Sequence, residues 1–344
     1  MVVGTAKRYA NGPVSHPDAQ PQTARLMKET RRTGADLLSG VWPIVTTPFD
    51  DDGRLDLASL TNVVEHILKG GAHGLVYPAI ASEFQMLDAN ERLVAVDHVL
   101  SVVAGRRPTI VGISAADDST SPPLLAAYAE ERNAAAVMLM PSPENRHDIA
   151  AIRGLFAAVA ASCTLPIVLQ NAPPPLGPAL SVDGVRAIVE AIPTIRYVKE
   201  ETQPCGHRIT GLLSTLPGLA GVFGGAGGRF VLDELARGAS GSMPACEFTA
   251  IHVRLYDYFT GGNRTEARRL FNTLLPLLNF ESVFRTPATK FILHLMRVID
   301  SPRHRDDNPD LDDDDRRELL HILEEMGTLA GLRGVETIGL TGNG

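Results

Sequence analysis

Short β-type runs recur along this chain at intervals of roughly 20 to 35 residues, the length of a strand-loop-helix-loop unit. The runs lie at residues 43–47, 74–78, 109–114, 135–140, 166–171, 195–199, 220–224 and 238–243. Several are apolar on consecutive residues rather than alternating, as expected of parallel strands covered on both faces. The intervals carry helix signals. Asp56 is placed to cap a helix over 57–68 that stops at Gly70-Gly71. Asp88 and Glu91 have the spacing of a capping box ahead of Leu93, Val96, Val99 and Leu100. Eight such units predict an α/β fold, a (β/α)8 TIM barrel over 39–249, since an open doubly wound sheet rarely has so many regular units. Residues 250–344 show helical periodicity without further strand runs, at 253–259, 266–278, 289–298 and 316–326, and form a C-terminal helical region. The acidic run 312–315 precedes the last of these, where negative charge suits the positive end of a helix rather than a metal site.

The 344 residues, 44% of them hydrophobic, suffice for one large barrel with a full core. A net charge of −8 argues against nucleic acid or an anionic membrane as partner, and no apolar stretch reaches membrane-spanning length. Residues 1–38 lack the apolar core of a secretory signal and are expected to be an extension or a subunit-packing arm, with a targeting peptide as the alternative. Cys163, Cys205 and Cys246 are odd in number, widely spaced and in no CxxC motif, so neither a disulfide framework nor a metal cluster is indicated. A reducing compartment, the cytoplasm, is the expected location. The ten histidines are scattered without HExxH, no metal is expected, and Gly-x-Ser-x-Gly does not occur.

Lysines stand only at 7, 28, 69, 199 and 290. Lys199 alone ends a β-favouring run, Ile195-Arg196-Tyr197-Val198-Lys199. Burial at a strand end disfavours the charged amine, and a neutral amine can attack a ketone to form a Schiff base. A strand-end lysine can equally snorkel to water. In a barrel, catalytic groups come from the carboxyl ends of the strands and the loops after them. That rule nominates Thr46 and Thr47, Ser82 and Glu83, residues 141–143, Gln170 and Asn171, residues 199–202, the loop opened by Gly224, and Ser242. Gly224-Gly225-Ala226-Gly227-Gly228 lacks the Lys-Ser/Thr of a P-loop, so a tight turn or a keto-acid contact is the preferred reading over a phosphate cradle.

Taken with their order, four blocks resemble the dihydrodipicolinate synthase/N-acetylneuraminate lyase family of Schiff-base aldolases and dehydratases. They are Gly40-Val41-Trp42-Pro43-Ile44-Val45-Thr46-Thr47-Pro48-Phe49, Ala81-Ser82-Glu83-Phe84, Pro166-Ile167-Val168-Leu169-Gln170-Asn171-Ala172-Pro173, and Val198-Lys199-Glu200-Glu201-Thr202. The resemblance implies that Lys199 forms an imine with pyruvate or another 2-keto acid without further cofactor, in a homotetramer or dimer.

The departures carry as much information. Where synthases and lyases of this family read Tyr-Asn-x-Pro, this chain has Gln170-Asn171-Ala172-Pro173, and Ser142 or Pro143 stands for a second tyrosine. The second-strand loop reads Ala79-Ile80-Ala81-Ser82-Glu83, and an arginine for a second carboxylate is missing from Pro174-Pro175-Leu176-Gly177. Dihydrodipicolinate synthesis and sialic acid cleavage are therefore disfavoured. The blocks are more similar to the subgroup containing L-2-keto-3-deoxyarabonate dehydratase, as are Lys199, Glu201 and Thr202 and the segment Pro302-Arg303-His304-Arg305. A hydro-lyase acting on a 2-keto-3-deoxy sugar acid is expected. A pyruvate-dependent aldolase and a catalytically silent keto-acid binder are the alternatives. Glu83 is the preferred base, with a purely structural role as its alternative. Ser82, Glu201, Thr47, or a water held by Gln170 and Asn171, are the other candidates. The substrate carboxylate is expected against the Ala81-Ser82 backbone N–H groups.

Overall fold

A computed structural model describes residues 38–115 and 121–330. The expected extension at 1–38 lies outside them apart from Leu38. Eight parallel strands follow one another around a single sheet: β1 (Gly40–Val41), β2 (Leu75–Tyr77), β3 (Thr109–Gly112), β4 (Ala136–Leu139), β5 (Ile167–Asn171), β6 (Ile195–Glu200), β7 (Gly221–Gly224) and β8 (Gly241–Ser242). From β2 to β8 each strand pairs with the next, and β8 pairs with β1.

The first strand differs from its expected bounds, and the reason is Pro43. It has no N–H to give to the ladder, so the pairing with β8 is confined to Gly40–Val41. Beyond it, Ile44 bridges to both Val76 and Ala245. The Pro43 carbonyl accepts from Val76 N at 3.0 Å and Val45 N donates to Val76 O at 3.0 Å. These bonds join the first segment to β2 and close the barrel.

The helices are α1 (Leu57–Lys69), α2 (Ala89–Val103), α3 (Pro122–Glu131), α4 (Ile149–Ser162), α5 (Val182–Ala191), α6 (Cys205–Thr215) and α7 (Val231–Ala236). Their starts follow the sequence signals. Asp56 Oδ1 accepts from Ser59 N at 3.0 Å, and the Asp88–Glu91 box is formed in both directions. Alternation along the strands divides the core in two. Ile44, Val76, Ile110, Met138, Val168, Tyr197 and Phe223 fill the barrel interior. Val45, Leu75, Val111, Val137, Leu169, Val198 and Val222 face outward under the helices. Side chains two apart on a strand share a face. Lys199 therefore continues the inward row of Tyr197, and Gln170 that of Val168.

Four further helices follow: α8 (Thr249–Thr260), α9 (Arg264–Phe284), α10 (Thr286–Leu295) and α11 (Asp313–Ala330). They make a separate apolar cluster, with Leu255, Leu270, Leu274, Leu277, Ile292 and Leu319 buried against α7 residues Val231 and Leu235. Asp312 Oδ1 accepts from the backbone N of Asp314 and Asp315, each at 2.8 Å, so the acidic run starts α11 as a cap. None of the helices among the described residues is long and apolar enough to cross a membrane.

Candidate active site

Lys199 is the penultimate residue of β6 and is only 4% exposed. Its Nζ lies 3.3 Å from Glu201 Oε1. Glu201, two residues on and on the same face, receives Gln170 Nε2 at 2.7 Å on its other oxygen and Ala226 N at 3.2 Å. Burial alone would raise the Glu201 carboxyl, but the charge of Lys199 and the bonds from Gln170 and Ala226 outweigh it and hold Glu201 below the usual carboxylate range. The glycine loop makes this possible. A Cβ on Gly225 would land inside the Glu201 carboxylate, and Gly227 adopts φ +68° in the turn beyond.

Above this triad opens a cavity of about 550 Å³. Lys199, Glu201, Glu83 and Ala81 line it among the residues expected at the site. The others lie beneath or behind its wall. Asn171 and Glu200 fall on the outward face of β5 and β6. Asn171 gives Nδ2 to Leu180 O at 3.0 Å and to Glu200 Oε2 at 2.9 Å, and takes Leu180 N on Oδ1 at 2.9 Å. Its amide is consumed in holding the loop after β5. Burial raises the Glu200 carboxyl even though Arg208 Nε stands 3.1 Å away. Thr47 Oγ1 donates to Ser82 O at 2.6 Å, and Thr46 Oγ1 pairs with Cys246 Sγ at 3.4 Å. The Ser82 hydroxyl donates to Val45 O at 2.5 Å while its backbone N–H bonds Ala79 O, so neither is aimed at a ligand. Gly224 makes room for the Glu234 carboxylate of α7, into which a Cβ would run. Ser242 is buried in the pairing of β8 with β1 and β7.

Glu83, the preferred base in the sequence reading, is otherwise engaged. It joins two 3₁₀ turns, Ile80–Ser82 and Phe84–Met86, in the left-handed conformation. Its Oε1 is ion-paired with Lys290 of α10, and both side chains are fully buried. Its Oε2 accepts from Arg305 N at 2.6 Å and Asp306 N at 3.1 Å. Arg305 in turn grips Glu91 through both guanidinium ends, at 2.7 and 2.6 Å. The segment 302–305, flagged in the sequence, is thus tied onto the second-strand loop, and the residues that follow it, Asp306, Asp307 and Asn308, form part of the cavity wall.

Sequence reasoning missed the residues that the C-terminal helices bring to this wall, among them Glu281, Arg285 and Thr289. One signal was readable. Leu274, Leu277 and Leu278 form the buried stripe of α9, and Glu281 continues it at helical spacing. A carboxylate on such a stripe is unusual. Among the described residues no group of three or more His, Cys, Asp or Glu side chains is placed to hold a metal ion.

Comparison with known proteins agrees with this architecture. Residues 37–326 match the model of the dihydrodipicolinate synthetase family. The chain is 32% identical over 301 residues to L-2-keto-3-deoxyarabonate dehydratase of Azospirillum brasilense, covering 84% of this chain and 95% of that protein. It is 26% identical to 4-hydroxy-tetrahydrodipicolinate synthase of Bacillus subtilis (strain 168), covering 81% and 96% of the two chains. The crystal structure of a putative dihydrodipicolinate synthetase from Pseudomonas aeruginosa superposes with a TM-score of 0.77 at 29% identity, over 84% of this chain and 99% of that one. These relatives are lyases built on a TIM barrel, and the chain belongs to the dihydrodipicolinate synthetase family.

Proposed function

We propose that this protein forms an imine between Lys199 Nζ and C2 of a 2-keto-3-deoxy sugar acid and then removes water across C3 and C4. The observation that carries the reading is the buried Lys199–Glu201–Gln170 constellation, which opens on the cavity and contains no tyrosine. The similarity to a sugar-acid dehydratase at 32% identity supports the choice of substrate class.

Glu201, held ionised 3.3 Å from the amine, is the nearest acceptor for the ammonium proton that must leave before attack. The amine adds to the ketone, and the hydroxyl of the adduct leaves as water with the proton that Glu201 took up, which leaves a cationic imine and returns Glu201 to its ionised form. That cation draws electron density from C3. A base takes one C3 proton, the electron pair becomes the C3–C4 double bond, and the C4 hydroxyl departs as water with a proton from an acid. General acid or base assistance is typically worth about 10²–10⁴-fold. We assign the C3 proton to Glu201 rather than Glu83, because Gln170 and Ala226 fix the Glu201 carboxylate next to the imine nitrogen whereas Lys290 and the tail backbone occupy Glu83.

The test is borohydride reduction in the presence of pyruvate and of 2-keto-3-deoxypentonates, followed by peptide mass spectrometry. A reduced adduct on Lys199, absent in Lys199→Ala, is expected, with water lost from the pentonate and its carbon chain intact. No adduct with any keto acid would sink the proposal. Release of pyruvate with an aldehyde would replace dehydration by aldol cleavage at the same lysine.

A further inference from the structure

Removing water from C4 needs an acid as well as a base, and neither Lys199 nor Glu201 is suited to supply it once the imine has formed. The cavity wall offers a group that the sequence reading never weighed. Glu281 of α9 lines the cavity yet is only 8% exposed, and its Oε1 has no hydrogen-bond donor. Behind it, in the segment leading from β8 to α8, Glu247 is 2% exposed and its Oε2 likewise has no donor. The two carboxyl groups are within hydrogen-bonding reach of each other. A contact between two carboxyl groups in a dry wall is tolerable only with a proton between them, since neither can donate when both are ionised.

The surroundings place that proton. Burial raises the Glu247 carboxyl as well, but a bond from the Thr289 side chain of α10 works against that rise, and His66 Nε2 meets the Glu247 backbone carbonyl at 2.8 Å. Glu281 is opposed only by burial and by Glu247, and both push its carboxyl well above the ordinary range. Lys290, the buried cation of α10, is committed to Glu83, and Arg285, one turn on from Glu281, is exposed. The pair therefore keeps a neutral carboxyl at Glu281, facing the cavity, with the anion behind it at Glu247. Such an arrangement holds a carboxylic acid in its acid form at neutral pH.

We infer that Glu281, buried in the cavity wall beside Glu247, is the acid that gives a proton to the hydroxyl leaving C4. The inference rests on the dehydratase reading above. In the step, the C4–O bond breaks as the C3–C4 double bond forms, and the departing oxygen takes the Glu281 proton and leaves as water. Glu281 becomes a carboxylate beside another carboxylate, and that repulsion draws a proton back from solvent for the next turnover.

Two variants test it, each read by trapping, turnover and melting temperature. Glu281→Gln matches the neutral acid in shape and can still donate to Glu247, so the fold should be retained. With pyruvate and borohydride it should trap at Lys199 to the extent of the unaltered protein, while water loss from 2-keto-3-deoxyarabonate slows by about 10²–10⁴-fold. Glu247→Gln removes the like charge. The acid form of Glu281 is then lost at lower pH, so the alkaline limb of the kcat profile should move to lower pH. A merely structural wall residue would move no limb. Full dehydration by Glu281→Gln, or an unmoved alkaline limb in Glu247→Gln, overturns this inference and leaves the imine reading standing. Failure of the unaltered protein to trap or dehydrate overturns both.

Discussion

The buried pair of Glu83 and Lys290 invites a perturbation whose two halves should behave differently. Lys290 Nζ sits 4.3 Å from the centre of the Phe49 ring, donates to Arg303 O at 2.8 Å and has no exposed surface. Burial pulls its amine down to about 8, with the Glu83 charge holding it up against a deeper fall. Lys290→Met leaves the Glu83 carboxylate buried with only the Arg305 and Asp306 amides, and breaking a buried pair from one side is worth about 3–5 kcal/mol. Glu83→Gln leaves Lys290 an escape. From about 8 it needs to fall by roughly one further unit to be neutral at pH 7, about 1.4 kcal/mol. Adding about 1 kcal/mol for weakened amide bonds gives a loss near 2–3 kcal/mol. The double variant buries no charge at this site and should lie within about 1 kcal/mol of Glu83→Gln. The coupling should therefore be about 2 kcal/mol or more, far from additive. Urea unfolding at pH 7 measures it through the midpoint at constant m value. The sign with pH follows from the same group. Its folded value lies below the free-lysine value of 10.5, so the unfolded chain holds more protons between about 8 and 10.5, and stability from this site rises with pH across that window. Lys290→Met should remove that rise. A loss under about 1 kcal/mol in Lys290→Met, or a double variant equal to the sum of the singles, would refute the reasoning.

Two shorter predictions bear on the residues around the site. Asn171→Ala orphans the Leu180 N–H and opens a small cavity, so it should destabilise by about 2–4 kcal/mol while borohydride trapping at Lys199 persists; normal stability with weakened substrate binding would instead make Asn171 a ligand contact. Burial raises Glu234 to about 7, so the unfolded chain ionises first and stability from this group is full below about 4.5 and lost as pH rises through 7, a slope that Glu234→Gln should flatten in melting scans from pH 4 to 8.

Much of the barrel was legible because its signals are local. A strand of consecutive apolar residues, a capping Asp56 and an Asp88–Glu91 box each act within a few residues, and each appears where the pattern put it. The first strand slipped because Pro43 was counted as part of a β run, when its missing N–H moves the ladder to Gly40–Val41.

The site was legible only where strand alternation governs it. Lys199, Glu201 and Gln170 could be placed together because residues two apart on a strand share a face, and neighbouring strands set Gln170 beside Lys199. The same rule, carried one step further, would have turned Asn171 and Glu200 outward. Glu200 adjoins Lys199 in sequence and Asn171 adjoins Gln170, yet both turn to the opposite face of the sheet. Glu83 and Glu281 obey a different logic. Each meets its surroundings through chain far away in sequence, Glu83 through Lys290 and the 305–306 backbone, Glu281 through the packing of α9 over the mouth. No local pattern encodes such a meeting. What a sequence can show is the anomaly that requires one, and a carboxylate on the Leu274–Leu278 stripe of α9 is that anomaly. A buried face tolerates Glu281 only if its proton is kept or its charge is matched, and the structure supplies a second carboxyl rather than a cation. The polar residue out of place in an apolar pattern is therefore the sequence feature from which the proton chemistry proposed for Glu281 can be sought, whereas the glutamate beside the familiar motif is held by Lys290.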